Sequence, residues 1–564
     1  VVAHALLAAA LAGCGTDQVA VAGVDLHVDG ANPAASDRAA GVRPDQPFRT
    51  ISGALAKAMP GDTVRIAAGT YREAVQLVRG GSDADHRIHL VADGGDVTVK
   101  ASDVVTGWAP ASDGVWKKTG WRVNSQQVIV DGQTLRQIGV ATPFNTRTWN
   151  GQPILPPVGS GVGDMTPGSF FYDAGSATLY LRLADGGDPG GHVVEASVRQ
   201  DALSSGAASF VELRGLRFSH SNNGATGDQR GIVNIEGNSW IVDGCSFTEG
   251  DFVGLSLSGS GHQVRNSVAS RNGDLGIAIN GSDAAHGWAP YAGRPRQDIV
   301  LENNETSGNN TRDFLSIYQA GGLKASNSCN GVRITGHVAR SNGGPAVWFD
   351  LGCTQITVER SILQDNRRGI EFEISGQAVL SGNLVTGSEE HGIYVNASSD
   401  VSVVGNTLDG NGFGVVIHGE PREEHPALTG NAVSNNIIAH TRSADLVVYV
   451  GGDAQGNTSD YNLYDPGSGG VRLSWTATSR YDITHTDLQA FAAQTGQDGH
   501  SLVGDPRWVA PSAGDYRLGA GSPAIGAGRP TSGAAAPDLG AFPAAGAAAA
   551  RGAVRAAAPG GARR

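Results

Sequence analysis

Charge is scarce in this chain. Only 17% of its 564 residues are Asp, Glu, Lys or Arg, which excludes a coiled coil, a fold built from charged helix formers. Basic residues show no surplus: 41 Lys and Arg stand against 54 Asp and Glu, a net charge of −13. The basic face that a nucleic acid needs is therefore missing, and no nucleic-acid partner is expected. Beyond the N-terminus no run approaches the ~18 apolar residues that span a bilayer. Methionine (2) and cysteine (4) are rare. Glycine is abundant, at 82 residues, about twice its usual ~7% share, but without the period of three that collagen requires. Hydrophobic residues make up 40%, enough for a core and against wholesale disorder. High glycine with low charge suits many short strands joined by tight turns. Length alone suggests about four domains, unless the chain is a repeat.

The two ends stand apart. Residues 1–14 form an apolar run ending in small residues, like a secretory signal, and Leu11-Ala-Gly-Cys14 has the form of a bacterial lipobox. The expectation is an exported bacterial protein, secreted or held at the cell envelope by a lipid on Cys14, with no other membrane contact. Residues 544–564 are Ala, Gly, Pro and Arg apart from Val554, and are expected to be a disordered tail.

From Gly254 a short pattern recurs, a polar turn followed by five residues. The segments are Gly254–Ser258, Gly276–Asn280, Phe314–Tyr318, Ala346–Asp350, Gly369–Glu373, Gly392–Asn396 and Gly414–His418, the last four starting 23, 23 and 22 residues apart. A period of 22 to 24 residues with several short strands per unit predicts a solenoid. The all-β architecture that fits best is a right-handed parallel β-helix. Cys329 and Cys353, 24 residues apart, then fall one coil apart and within reach of a disulfide, which export permits. Cys245 is left as a small buried hydrophobe. Asn272, Asn342, Asn366 and Asn411 sit just ahead of strands, where asparagine tolerates a left-handed turn.

Thr50 to Ala58 predicts a short helix with Thr50 as N-cap, capping the open end of the core. Residues 104–193 break the period and predict an inserted β module, with hairpins at Val128–Val130 and at Ser169–Tyr172 facing Thr178–Leu183. The expected layout is thus 22–103 for the cap and first coils, 194–465 for the main helix and 466–543 for irregular coils and a C-terminal cap, with a short helix from Asp487 to Ala493. Two long segments, Gly281 to Arg296 and Gln319 to Ser328, are expected to leave the same edge of the coil and wall a groove.

Strand alternation then sorts the side chains. Positions two and four of all seven segments are Leu, Ile, Val or Phe, so they face inward. Position five, facing out, reads Ser258, Asn280, Tyr318, Asp350, Glu373, Asn396 and His418, and position three includes Trp348, Glu371 and Tyr394. Asp350 and Glu373 share a column on neighbouring coils, so their carboxyls can approach to ~5 Å. That is the separation of a retaining glycosidase pair, and two close carboxylates keep one of them protonated near neutral pH. Trp348, Tyr318 and Tyr394 offer faces on which a sugar can stack. Glu371, Asn396 and His418 complete the candidate substrate-binding set, with Trp288 and His286 as contacts from the first insertion. Lys324, assigned to the second insertion one coil from Asp350, is a candidate catalytic group: a substrate contact, a modulator of Asp350, or a lyase base. Two blander readings stand beside these: a solvated polar face, or a calcium site.

The chain resembles known families at these residues. Pro47-Phe-Arg-Thr-Ile51, Pro60-Gly-Asp-Thr-Val64, Gly69-Thr-Tyr71, Tyr516-Arg-Leu518 and Ser522-Pro-Ala524 are similar to the pectate-lyase-like superfamily of β-helix carbohydrate enzymes. Gly321-Gly-Leu-Lys324, Val347-Trp-Phe-Asp350 and Phe372-Glu-Ile-Ser375 look like successive motifs of β-helix glycoside hydrolases of the β-xylosidase type. That resemblance implies Asp350 as nucleophile, Glu373 as acid/base, and a β-sandwich inserted before the main solenoid. Ala346 departs from the family's usual glycine, and Leu351 stands where it often has tryptophan. The expectation is a monomeric retaining glycoside hydrolase acting on a poly- or oligosaccharide without cofactor. One alternative is a polysaccharide lyase with calcium on Asp350, Glu371 and Glu373 and Lys324 as base. The other is a non-catalytic glycan-binding surface protein.

Overall fold

The computed structural model describes residues 23–140, 142–225, 230–281, 296–419, 428–452, 454–478, 481–530 and 535–544. The expected leader with Cys14, the tail beyond residue 544, and His286 and Trp288 lie outside these residues.

Each coil contributes two short strands to a 24-stranded sheet and one to a 12-stranded sheet, and coil-to-coil pairing in the stack is parallel throughout. One coil reads Thr354–Glu359, Ile362–Gln364, Arg368–Glu373. The next pairs with it residue for residue, Ile370 beside Ile393 and Phe372 beside Val395. Positions two and four of the face strands (Leu255 and Leu257, Val347 and Phe349, Ile370 and Phe372) lie buried in one continuous core. Removing such columns from water is the main driving force, at about 25 cal/mol per Å² of apolar surface. A β-carbon on Gly392 would sit 2.8 Å from the Gly414 carbonyl oxygen one coil on, so close coil contact explains this strand-opening glycine. Cys329 and Cys353 form a disulfide in the core, their α-carbons 4.5 Å apart. Cys245 is buried and free.

The asparagines ahead of the face strands act differently from expectation. The left-handed residue is the one before each: Arg271 (φ 52°), Ser341 (φ 51°), Asp365 (φ 53°) and Gly410 (φ 65°). The asparagines themselves turn inward and form a buried ladder. Asn272 donates to Asn309 at 3.0 Å, Asn309 to Asn342 at 2.8 Å and Asn342 to Asn366 at 2.8 Å. Asn309, Asn342 and Asn366 also accept from the backbone N–H of the asparagine a coil earlier, Asn272 accepts from the Gly250 N–H, and all four donate to a backbone carbonyl. A second ladder runs Asn383, Asn406, Asn436, Asn462 at a different corner. An amide has both donors and acceptors, so it can satisfy side chain and main chain together at a buried corner.

The N-terminal helix is Ile51–Leu55, shorter than expected, with the Thr50 side chain accepting from Gly53 N–H and Ile51, Ala54 and Leu55 buried. Glu73 takes up the N–H groups of Ile51 and Ser52. The second helix is Leu488–Thr495, capped by Asp487 and ended by left-handed Gly496. The inserted module holds a five-stranded and a four-stranded sheet. Ser169–Asp173 pairs antiparallel with Thr178–Arg182, and Val128–Val130 with Gln133–Thr134. Strands Ser102–Val104 and Val194–Ser197 also belong to it, so the module exceeds the expected 104–193 at both ends. The coil stack likewise runs past residue 465: Leu473–Thr476 extends the face sheet, because Val471 and Leu473 still fill the core.

The segment Phe314–Tyr318 is not a face strand. The strand at that level is Gly321–Ser326, with Leu323 and Ala325 inward and Lys324 outward, between Ala278 and Trp348. The second long segment, residues 308–320, therefore precedes its face strand, whereas the first insertion follows its own. The two leave opposite ends of the face, not the same edge.

Asn342→Ala removes two rungs of the ladder at once and strands partners on both neighbouring coils. At about 1–3 kcal/mol for each unsatisfied group, urea denaturation should show a loss of several kcal/mol. A midpoint unchanged from the parent would refute the structural role assigned to the ladder.

Candidate functional site

The outward residues of the face sheet stack in a column, Ala278, Lys324, Trp348, Glu371, Tyr394, Val416. Beside it runs the column of position five, where Asn396 pairs with Glu373 and His418 with Asn396. Asp350 directly follows Phe349, which pairs with Phe372, so Asp350 and Glu373 stand one coil apart, at a strand spacing of ~5 Å. Both sit at the corner leaving the face. The next residues, Leu351 (φ 56°) and Ile374 (φ 50°), are left-handed. That conformation is an outlier for a β-branched side chain such as Ile374 and stores about 1–3 kcal/mol. Its burial in the core holds it there.

Lys324 is no loop residue. Its ammonium lies 2.9 Å from Asp350 Oδ2, donates to the Tyr318 carbonyl at 3.1 Å, and stands 3.3 Å over the Trp348 ring. Residue, partner and ring are all buried, so charge pairing and cation–π attraction act with little screening. On the other side of Trp348, Glu371 Oε1 takes Arg368 at 2.5 Å, and Arg368 also binds Glu390 at 2.6 Å and stacks over Tyr394. Burial, with Glu373 and Asp350 adding to it, pushes the Glu371 carboxyl up to about 7 against the pull of Arg368 and Lys324. Asn396 donates to Glu373 Oε1 at 2.9 Å.

Three neighbouring buried atoms have no hydrogen-bond partner among the described residues: Trp348 Nε1, Asp350 Oδ1 and Glu371 Oε2. Buried polar atoms are rarely left unpaired. Together the three offer one donor and two acceptors that no described side chain uses.

The face is bounded along the stack. Toward the N-terminus, Phe144 of the inserted module packs against Phe252 at 5.1 Å and Phe314 at 5.6 Å, covering Ala278. Trp149 of the same module lies against Tyr318, ring centres 5.5 Å apart. Tyr318 thus reaches the site from a loop rather than from the sheet. Toward the C-terminus, His391 is stacked between Tyr394 and Phe413, and Tyr481 packs on His391, Phe413 and His418. Burial draws the His391 ring down to about 3, and raises the Tyr394 phenol above its ordinary range.

Sequence reasoning placed Asp350, Glu373, Glu371, Trp348, Tyr394, Asn396 and His418 on this face, and the structure gathers them there. It missed Arg368, Glu390, Trp149, His391 and Tyr481. Arg368 left a signal, an arginine directly before a face strand and three residues from Glu371; Trp149 left none, since only the module's fold brings it near. The calcium set does not fit. Asp350 is already paired with an ammonium and Glu371 with a guanidinium, and among the described residues no three His, Cys, Asp or Glu side chains are gathered to hold a metal ion.

Residues 230–408 and 294–458 match the family model "Right handed beta helix region". No curated protein matches the chain. Among solved structures, XylC in complex with xylose is 16% identical, covering 86% of this chain and 87% of that one at a TM-score of 0.63. A glycoside hydrolase is 11% identical over 80% and 95% of the two chains, at 0.49. The pectate lyase Pel9A is 15% identical over 93% and 97%, at 0.40. The fold is a right-handed parallel β-helix.

The raised Glu371 carboxyl has a stability consequence. A carboxyl raised above its unfolded value contributes stability that is present at low pH and lost as pH rises through the folded value, here between about 4.5 and about 7. Every tenfold gain in proton affinity on folding corresponds to about 1.4 kcal/mol. Glu371→Gln should therefore gain urea resistance relative to the parent as pH is raised from 5 to 8. An offset independent of pH would contradict the raised carboxyl.

Proposed function

We propose that this protein is a carbohydrate-active enzyme that hydrolyses glycosidic bonds with retention of configuration. The observation that carries the reading is the placement of Asp350 and Glu373 on adjacent coils at one corner of the face. A spacing near 5 Å suits attack by one carboxylate and protonation by the other, with no room for water between them. Asp350 Oδ1 has no hydrogen-bond partner among the described residues, while Oδ2 is held by Lys324; the former oxygen is the nucleophile, and the ion pair aims it. Its attack on the anomeric carbon forms a glycosyl ester. Glu373 gives a proton to the leaving oxygen, then takes one from the water that cleaves the ester. Asn396 orients Glu373. Trp348 and Tyr394 flank the ring, and Glu371 and Trp348 Nε1 bond its hydroxyls. The likeness of fold to XylC supports a sugar substrate.

The lyase reading is weaker on this geometry. A lysine base must be a neutral amine, and Lys324 is engaged by Asp350, a carbonyl and a ring face. We further propose export, which suits the Cys329–Cys353 disulfide, and lipid attachment at Cys14. Cys14→Ser in the full precursor should move the protein from the membrane to the soluble fraction.

Asp350→Asn should reduce turnover by on the order of 10³-fold or more on every glycoside cleaved. Glu373→Gln should do so on substrates with poor leaving groups and much less on activated aryl glycosides, which leave without a proton. NMR of the first sugar released should show the substrate's anomeric configuration. Inversion, or full activity in both variants, would sink the assignment.

A further inference from the structure

The inserted module and the coil stack line a half-open cavity of about 730 Å³, to which none of Lys324, Trp348, Asp350, Glu371 and Glu373 contributes. Its walls include Gln127 and Gln137 of the module, Asn145 of the strap that reaches over the face, Arg271 at a coil corner and Arg312 of the long segment 308–320. This volume lies within the ~300–1,000 Å³ range of ligand sites.

Two features show that the cavity is built rather than left over. The Arg312 side chain is 13% exposed, lies 3.9 Å from the fully buried Asp251 carboxylate, donates to the Asp251 carbonyl and also binds the Gln126 and Gln137 side-chain oxygens. Gln127 is 4% exposed, and its side-chain oxygen has no partner among the described residues. Its backbone is held by Ser197 on both sides, at 3.0 Å each way, which fixes the place of the residue in the wall. A buried amide oxygen left unsatisfied in this way is destabilising until a ligand or water meets it.

The chemistry of the walls selects the ligand. The wall cations Arg136, Arg271 and Arg312 are matched in number by Glu249, Asp313 and, behind Arg312, Asp251: the exposed Arg271 pairs with Glu249 at 2.9 Å, and Arg312 stands 3.9 Å from Asp251. No net charge is left to attract an anion. Amide and guanidinium edges remain, together with the apolar Leu155 and Pro156. Whichever end of the Gln127 amide faces the cavity, a hydroxyl can satisfy it, because a hydroxyl both donates and accepts. Amides that bond hydroxyls, beside apolar atoms that meet C–H groups, are what a neutral sugar requires. We propose that this cavity is a second, non-catalytic binding site for a neutral oligosaccharide. It adjoins the face through shared segments: the strap whose base carries Asn145 bears Trp149 against Tyr318, and Tyr318 carries the carbonyl that holds Lys324.

The test uses the full chain carrying Asp350→Asn, so that no sugar is consumed. Xylotetraose, cellotetraose and mannotetraose are titrated calorimetrically into this parent and into two derivatives. Gln127→Leu removes the buried amide; Arg136→Trp blocks the cavity at an exposed wall residue without touching the core. For at least one sugar, each derivative should lose one binding site per chain, or bind there at least ten-fold more weakly, while its thermal melt stays that of the parent. In the Asp350 background, turnover of an aryl glycoside should be unchanged by Arg136→Trp. Equal stoichiometry in parent and Arg136→Trp, including no binding at all, overturns the proposal. Should the catalytic reading alone fail, the parent would still hold one site, and that site would vanish in the Arg136→Trp chain.

Discussion

Residue-for-residue stacking of one coil on the next is the constraint from which the rest of this structure follows. A coil of 22 to 24 residues cannot bury its apolar side chains alone; it can only share a core with its neighbours. Sharing works if each corner of the coil falls above the same corner of the last one. The asparagine ladders enforce that condition. The Asn342 side chain bonds the side chains of Asn309 and Asn366 and the main chain of the preceding coil, at the Asn309 N–H and the Thr306 carbonyl, while its own N–H donates to Asn366, so a slip of one residue would break bonds on two levels. The left-handed residues before the asparagines turn the chain so that the amides can point inward.

Register, once held, makes the outer face a lattice on which chemistry can be laid out. Side chains one coil apart in a column are about 5 Å apart, whatever their identity. Acids in such columns would repel each other in poor solvent, and the chain offsets this with cations placed on the same lattice. Lys324 serves Asp350, and Arg368 serves Glu371. The matching is incomplete by design of the geometry: one oxygen of each acid has no partner among the described residues, and Glu371 keeps a carboxyl able to hold a proton near pH 7. A solvated polar face would show neither feature.

Much of this was legible in the chain. The inward columns, the disulfide, the helix cap at Thr50, the short helix after Asp487, the module hairpins and the one-coil separation of Asp350 and Glu373 all follow from local periodicity and spacing. The reading failed where two candidate segments competed for one level of the stack. Phe314–Tyr318 has the stronger apolar alternation, but Gly322–Ser326 has the right interval, 24 residues before Ala346. Interval decides, because a strand must reach its neighbours around the coil, while an apolar loop can be buried by a module lying over it. Phe314 is buried in that way, under Phe144. The asparagine role was misjudged for a related reason: a turn preference is local, whereas a ladder exists only between coils.

The sequence by itself determined the repeat, the direction in which each strand side chain points, and which acids share a column, since these depend only on spacing and on the two-residue period of a strand. Tertiary structure alone decided what closes the site. Trp149, Phe144 and Tyr481 come from segments far apart along the chain, and their meeting with Tyr318, Phe252 and His391 depends on how the module and the late coils fold back. No periodicity encodes that, because such contacts are made once and not repeated from coil to coil.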